Sequence, residues 1–196
     1  YPLNEKDIHL GPPHPSNVGY AYAKRMLEVQ STAYRSEWGC NFIVVIPTNI
    51  YGENDFWNLN DGHVVPSLIH KCYMAKKNNK NLEVWGSGKP LREFVYSKDI
   101  AKLILWAMKK YNEDTPIILS NGEEKSIKEL VELVVEQMDF KGKVIFDTTK
   151  PEGQFRKPSD TSKLKKYLPD FKFTSLKEGI KNTVEWFIKN YPNIRK

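Results

Sequence analysis

In the stretch GYAYAK, Tyr20 stands four residues before Lys24. On an α-helix that spacing puts both side chains on one face, close enough for one to tune the other. A free phenol titrates near pH 10, about three units too high for easy proton exchange. An ammonium beside a phenol favours the phenolate and makes the tyrosine a usable proton donor and acceptor near neutrality. The alternative is an amphipathic helix with a snorkelling lysine. Further along, His63 in DGHVVP brings a group that titrates near pH 6.5 and suits proton transfer, or else it caps the helix that begins beside it. Lys71 and Arg92 are cations suited to an anionic ligand, Arg with a bidentate fork, or they are surface charge. Trp85 precedes Gly86 and reads either as a ligand contact or as a core tryptophan at a hairpin.

These groups need a framework, and 196 residues with 40% hydrophobic and 12% aromatic content can bury one. No apolar run approaches membrane-spanning length, and Tyr1–Leu10 does not read as a signal peptide, so no membrane partner is expected. Two cysteines, Cys40 and Cys72, give neither a disulfide framework nor metal-ligand spacing; a reducing cytosol and no metal are expected. The net charge of +6 comes from basic residues interleaved with acidic ones, as in KKYNED and SIKELVE. That pattern argues against nucleic acid and suits a phosphate-bearing small ligand. The chain opens on Tyr1, and YPLNEKDIHLGPPHPSN reads as a loop already in progress, as in a piece of something longer.

Ser16 or Asn17 caps a predicted helix over GYAYAKRMLEVQSTAYRSEW that stops at Gly39, with Tyr22, Met26, Val29 and Ala33 as its apolar stripe. NFIVVI follows, apolar on both faces as a buried parallel strand is, and PTNIYGEND leaves its carboxyl end, where open α/β sheets bind ligands. A helix is expected over HVVPSLIHKCYMAKK, then a hairpin over LEVWGSGKPLREFVY. Ser97 is placed as the cap of KDIAKLILWAMKKY, PIILS and KVIFD as strands, and SIKE and SLKE as capping boxes of two later helices. The class is α/β.

A helix with YxxxK followed by a buried strand ending in PTN resembles the extended short-chain dehydrogenases/reductases. GYAYAKRM, VIPTNIYGENDFWN, DGHVVPSLIHK, VWGSGKPLREFVYSKDIA and FDTTKPEGQFRKPSD run in order along the whole chain and resemble the GDP-L-fucose synthase family, the GDP-4-keto-6-deoxy-D-mannose 3,5-epimerase-4-reductases. The resemblance implies the C-terminal portion of a Rossmann-type enzyme. Residues 1–52 would close the NADP-binding domain. Residues 53–196 would form mainly a smaller α/β substrate domain, with some segments returning to the first.

It also implies roles. Tyr20 would protonate the carbonyl oxygen during reduction, assisted by Lys24, which also holds the nicotinamide ribose of NADP(H). His63 would be the epimerisation acid and, with Pro47, Thr48, Asn49 and Ile50, would meet the nicotinamide end. Lys71, Trp85, Arg92 and Glu152 would contact the substrate, GDP-4-keto-6-deoxy-D-mannose, and the product, GDP-L-fucose. Glu152 departs from the Asp common in the family and reaches further; Lys157 stays outside the assigned set. A homodimer through the Tyr20–Lys24 helix is expected, its apolar stripe serving that contact or packing inside one chain. The family's glycine-rich phosphate loop is absent. Its catalytic serine and its base, a cysteine, fall before Tyr1, and neither Cys40 nor Cys72 stands in the matching context. The 196 residues alone are expected to be inactive and prone to aggregate. The alternatives are another nucleotide-sugar epimerase or dehydratase of the extended family, or a nucleotide-sugar-binding module without catalysis.

Overall fold

A computed structural model describes residues 1–196, and the helix that carries Tyr20 and Lys24 is its longest element: α1, Val18–Trp38. It ends where Gly39 takes φ +64°, a left-handed turn that costs a residue without Cβ nothing, and donates its N–H to the Arg35 carbonyl at 3.1 Å. Asn17 occupies the N-cap position, but its side chain makes no capping bond, contrary to expectation. No residue of α1 is buried; the stripe of Tyr22, Met26, Val29 and Ala33 faces outward.

The strands form three small sheets. β1 (Val45–Pro47) pairs in parallel with β5 (Ile117–Leu119). β2 (Asn49–Tyr51) pairs in parallel with β4 (Leu91–Tyr96), whose other edge takes β6 (Glu124–Ser126) antiparallel. β3 (Leu82–Trp85) runs parallel to β7 (Val144–Asp147). Three expectations are corrected. NFIVVI is a strand only in its last part and is half-buried, because β5 is its single sheet neighbour. NIY, read as loop, is a strand. LEVWGSGKPLREFVY is not a hairpin, since its two strands enter different sheets. The reason lies in the turn: Gly86, at φ +83°, donates to Asp147 of β7, while the Gly88 and Pro90 carbonyls accept from Lys128 and Ile127 at the start of the helix that follows β6. The turn's hydrogen bonds are spent on other elements rather than across itself.

The remaining helices are α2 (Val64–Lys77), α3 (Ser97–Lys110), α4 (Ile127–Gln137), α5 (Ser162–Tyr167) and α6 (Leu176–Asn190). Ser126 and Glu129 close the full capping box read from SIKE, whereas Ser175 of SLKE caps Glu178 without the reciprocal bond. Ser97 is the first residue of α3 and caps nothing.

Two apolar cores result. The larger joins α2, α4 and α6 to β3 and to Tyr51, Phe94 and Tyr96. The smaller packs α3 and Leu164 of α5 against β5, with Val45 at its margin. Along β4 the alternation of a strand decides the allegiance: Phe94 and Tyr96 belong to the larger core and Val95 to the smaller. The chain therefore crosses between cores at Pro47–Asn49 and at the end of β4. No helix is long and apolar enough to cross a membrane.

Candidate functional site

A cavity of about 860 Å³ opens along these crossings. Tyr20, Pro47, Thr48, Asn49, Ile50 and His63 all line it, as does Lys157. Tyr20 is 63% exposed, held by the first turn of α1. Lys24 is brought to the same helix face, with Nζ 5.5 Å from the Tyr20 ring centroid, but does not itself reach the cavity. His63 sits at the N-cap of α2, yet its side chain makes no capping bond; only its carbonyl is used, accepting from Ser67 N–H at 3.0 Å. The imidazole is exposed to the cavity rather than spent on the helix.

The Pro47–Ile50 wall has a buried support that the sequence did not reveal. Asn49 Nδ2 donates to the Glu93 carbonyl at 2.7 Å. The Glu93 carboxylate, 2% exposed, accepts from Ser120 Oγ at 2.7 Å, Ser159 N–H at 2.7 Å and Ser159 Oγ at 2.5 Å. Ser120 Oγ in turn accepts from Thr48 Oγ1 at 3.3 Å. A single carboxylate thus ties β4, the end of β5, the Ser159 segment and the cavity wall together.

On the opposite side, burial pushes the Glu53 carboxyl up, but hydrogen bonds from Lys98 and Tyr96 outweigh it and hold the group below its usual range. Burial also drives the Tyr51 phenol well above its ordinary value, so this cavity residue stays protonated. Asp55 is pushed up by burial; the Phe56 N–H at 2.7 Å and the charges of His63 and Arg195 pull the other way. Asp55 and Arg195 also belong to the cavity; Asp55 lies within VIPTNIYGENDFWN but has no role assigned there, and Arg195 lies in none of the recognised stretches.

A second hollow, about 200 Å³, shares Asn49 and Val64 with the first and is lined by Trp85, Arg92 and Glu152. Trp85 is 55% exposed, not a core tryptophan, and the Lys71 and Lys150 ammoniums lie 5.0 and 5.8 Å from its ring centroid. Burial lowers the pKa of Lys71, with Glu83 pulling it back, and lowers that of Arg92 too. Glu152 Oε2 accepts from Ser87 Oγ at 2.7 Å. Its Cγ lies 2.5 Å from where a Cβ on Gly86 would stand, so a side chain there would displace Glu152, and φ +83° favours glycine in any case. The structure thus gathers Trp85, Arg92 and Glu152, with Lys71 stacked on the first. Neither cysteine lines either hollow; burial raises the Cys72 thiol to about 12, which keeps it from acting as a base near neutrality.

Residues 1–120 match the NAD dependent epimerase/dehydratase family. The chain belongs to that family. Its α/β fold is that of known structures: a GDP-L-fucose synthetase of Naegleria fowleri bound to NADP superposes with TM-score 0.98 at 43% identity, over 100% of this chain and 63% of that one. A GDP-L-fucose synthase of Dictyostelium discoideum is 54% identical over 100% of this chain and 62% of its own length. One of Sinorhizobium fredii is 40% identical over 96% of this chain and 60% of its own. The similarity to GDP-L-fucose synthases expected from the motifs is borne out. The chain spans about three fifths of the length of these relatives.

Proposed function

We propose that the chain is the larger part of a GDP-L-fucose synthase, converting GDP-4-keto-6-deoxy-D-mannose to GDP-L-fucose with NADPH. The observation that carries this reading is the meeting of Tyr20, Pro47–Ile50 and His63 on one cavity that continues into the hollow of Trp85, Arg92 and Glu152. A nucleotide in the smaller hollow would leave its hexose in the larger one. The Trp85 face and the Lys71 and Arg92 charges suit a purine diphosphate, and Glu152 beside Ser87 offers an acceptor.

The 4-keto group acidifies the hydrogens on C3 and C5. His63, free of capping duty, donates the proton that completes each inversion. The opposing base is a cysteine in the family; Cys40 and Cys72 do not reach the cavity, so that group comes from outside these 196 residues. Tyr20 protonates O4 as the ketone is reduced, and Lys24 on the same face favours the phenolate it leaves behind. When bound, NADPH would supply the hydride, and Pro47–Ile50 with His63, which line the cavity, would meet its nicotinamide end. The smaller core, with residues 1–52, completes the cofactor domain, and α3, β5 and α5 return to it. The uncovered apolar residues of α1, Met26 and Val29 among them, suit the homodimer contact, and two unpaired thiols suit a reducing cytosol.

The test is turnover by the full-length protein. NADPH consumption with GDP-4-keto-6-deoxy-D-mannose, and a product whose NMR spectrum is that of GDP-L-fucose, are expected. Unconsumed NADPH would favour a binding module, and activity on UDP-linked sugars would favour another epimerase of the family.

A further inference from the structure

The segment Tyr191–Lys196 has no part in the roles assigned so far, yet it is built into the cavity. Tyr191 and Ile194 pack on the larger core, and the Arg195 carbonyl accepts from Trp57 N–H at 2.8 Å. That bond fixes the segment beside Asp55–Trp57, of which Asp55 lines the cavity. The Arg195 guanidinium then lies 5.7 Å from the Phe56 ring centroid and lines the same cavity as His63 and Asp55. It forms no ion pair within 4 Å and no side-chain hydrogen bond; all five of its N–H donors are unused by the protein. An arginine at a cavity wall with its backbone pinned and its side-chain donors free is arranged for a ligand's oxygens.

We propose that Arg195 is a substrate-contacting residue that donates to the oxygens of the hexose and turns the sugar toward His63. This rests on the nucleotide-sugar reading above. Position selects the hexose over the diphosphate. Arg195 lines the larger cavity and not the hollow of Trp85 and Arg92, and the reacting carbons must lie in the larger cavity, between Tyr20 and His63. The neighbouring Asp55 carboxylate can accept a sugar hydroxyl beside the same contact, since only its Oδ1 is engaged, by Phe56 N–H. The sugar would thus meet a donor and an acceptor side by side, which discriminates hydroxyl orientation better than either alone.

The experiment compares GDP with GDP-L-fucose as calorimetric ligands of the full-length protein, wild type against Arg195→Met and Arg195→Lys. Arg195 is exposed and its anchor is a backbone bond, so the side-chain contact a substitution gives up is that over the Phe56 ring, which the lysine variant's ammonium can partly replace. Loss of a charge-assisted hydrogen bond predicts that Arg195→Met binds GDP-L-fucose about tenfold to a hundredfold more weakly, with GDP affinity unchanged and Arg195→Lys restoring part of the loss. Equal weakening of both ligands, weakening of neither, or an effect confined to the KM for NADPH would each overturn the proposal while leaving the proposed function standing. A wild-type protein that binds neither GDP nor GDP-L-fucose would remove both readings together.

Discussion

Replacing Glu93 by leucine should loosen the fold and the cavity wall together, and the size of the effect can be worked from its contacts. The carboxylate is 2% exposed and receives three donors: Ser120 Oγ, Ser159 N–H and Ser159 Oγ. Leucine offers none of them an acceptor. The Ser159 N–H is part of the backbone and cannot turn away, while the hydroxyls can rotate. Counting the amide and about one hydroxyl as orphaned, at about 1–3 kcal/mol each, gives a loss of about 2–6 kcal/mol. Against this stands the relief of no longer burying a charge, which costs several kcal/mol and can make an apolar replacement neutral or better. Three short, charge-assisted bonds on one group decide for the loss, and we expect about 3 kcal/mol net. Glu93→Gln should cost only about 1 kcal/mol, because its oxygen can keep the amide and its NH2 can donate to the rotating hydroxyls. Urea unfolding of the full-length protein reads both, with the slope unchanged so that midpoints compare directly. A leucine variant as stable as wild type would refute the reasoning: desolvation, not hydrogen bonding, would then govern this site. Reduction should also slow in the leucine variant, because Thr48 hangs on the carboxylate through Ser120, whereas the Asn49 bond to the residue-93 carbonyl survives the change.

Tyr20→Phe should lower reduction by about 10²–10⁴-fold yet leave solvent deuterium entering C3 and C5, while His63→Asn should suppress that exchange first; equal loss of both signals in both variants would dissolve the division of labour. Trp85→Ala should weaken GDP binding by about 1–3 kcal/mol with little change in melting, since the ring is 55% exposed and free to offer a stacking face. Glu113 is held at about 2, against its usual 4.5, mainly by hydrogen bonds from Lys163 and Tyr167. A depressed folded-state pKa contributes stability that is whole above about pH 4.5 and fades as the pH falls toward 2, so the gap between wild type and Glu113→Gln in melting temperature should close across that window; a gap independent of pH would show that the carboxylate's charge is not what stabilises.

Local chemistry made much of this legible. Helices with a glycine stop or a capping box declared their ends, as at Gly39 and at Ser126–Glu129, because those signals act within one turn. The hairpin expectation failed at Gly86–Pro90 for the opposite reason. The local pattern is that of a turn between strands, but which strand pairs with which is settled by β7 and by the start of α4, far along the chain. β2 was hidden because Asn49–Tyr51 is short and follows β1 after a single residue, Thr48. In the site, the motif residues were readable and their supports were not. Glu93 sits in REFVY like any charged residue of a strand, and nothing in PNIRK marks Arg195; both acquire meaning only from partners elsewhere in the sequence.

The position of the cavity follows from the same topology. Thr48 separates a strand belonging to one sheet from a strand belonging to another, so the backbone between β1 and β2 passes from the smaller core to the larger within three residues. β4 faces both cores by alternation, and at its end Ser97 opens α3 into the smaller one. Wherever segments cross in this way, neither core can fill the space between them, and a cleft remains lined by strand ends and loop polar groups. Pro47–Ile50, Ser97 and Ser159 are such crossing residues, and all line the cavity. Chemistry placed there can draw on groups held rigidly from two sides while the ligand enters between them. This is why a buried carboxylate that joins β4 to β5 and to the Ser159 segment lies directly behind the wall: it keeps in register the junction at which Tyr20 and His63, arriving from different helices, line one cavity.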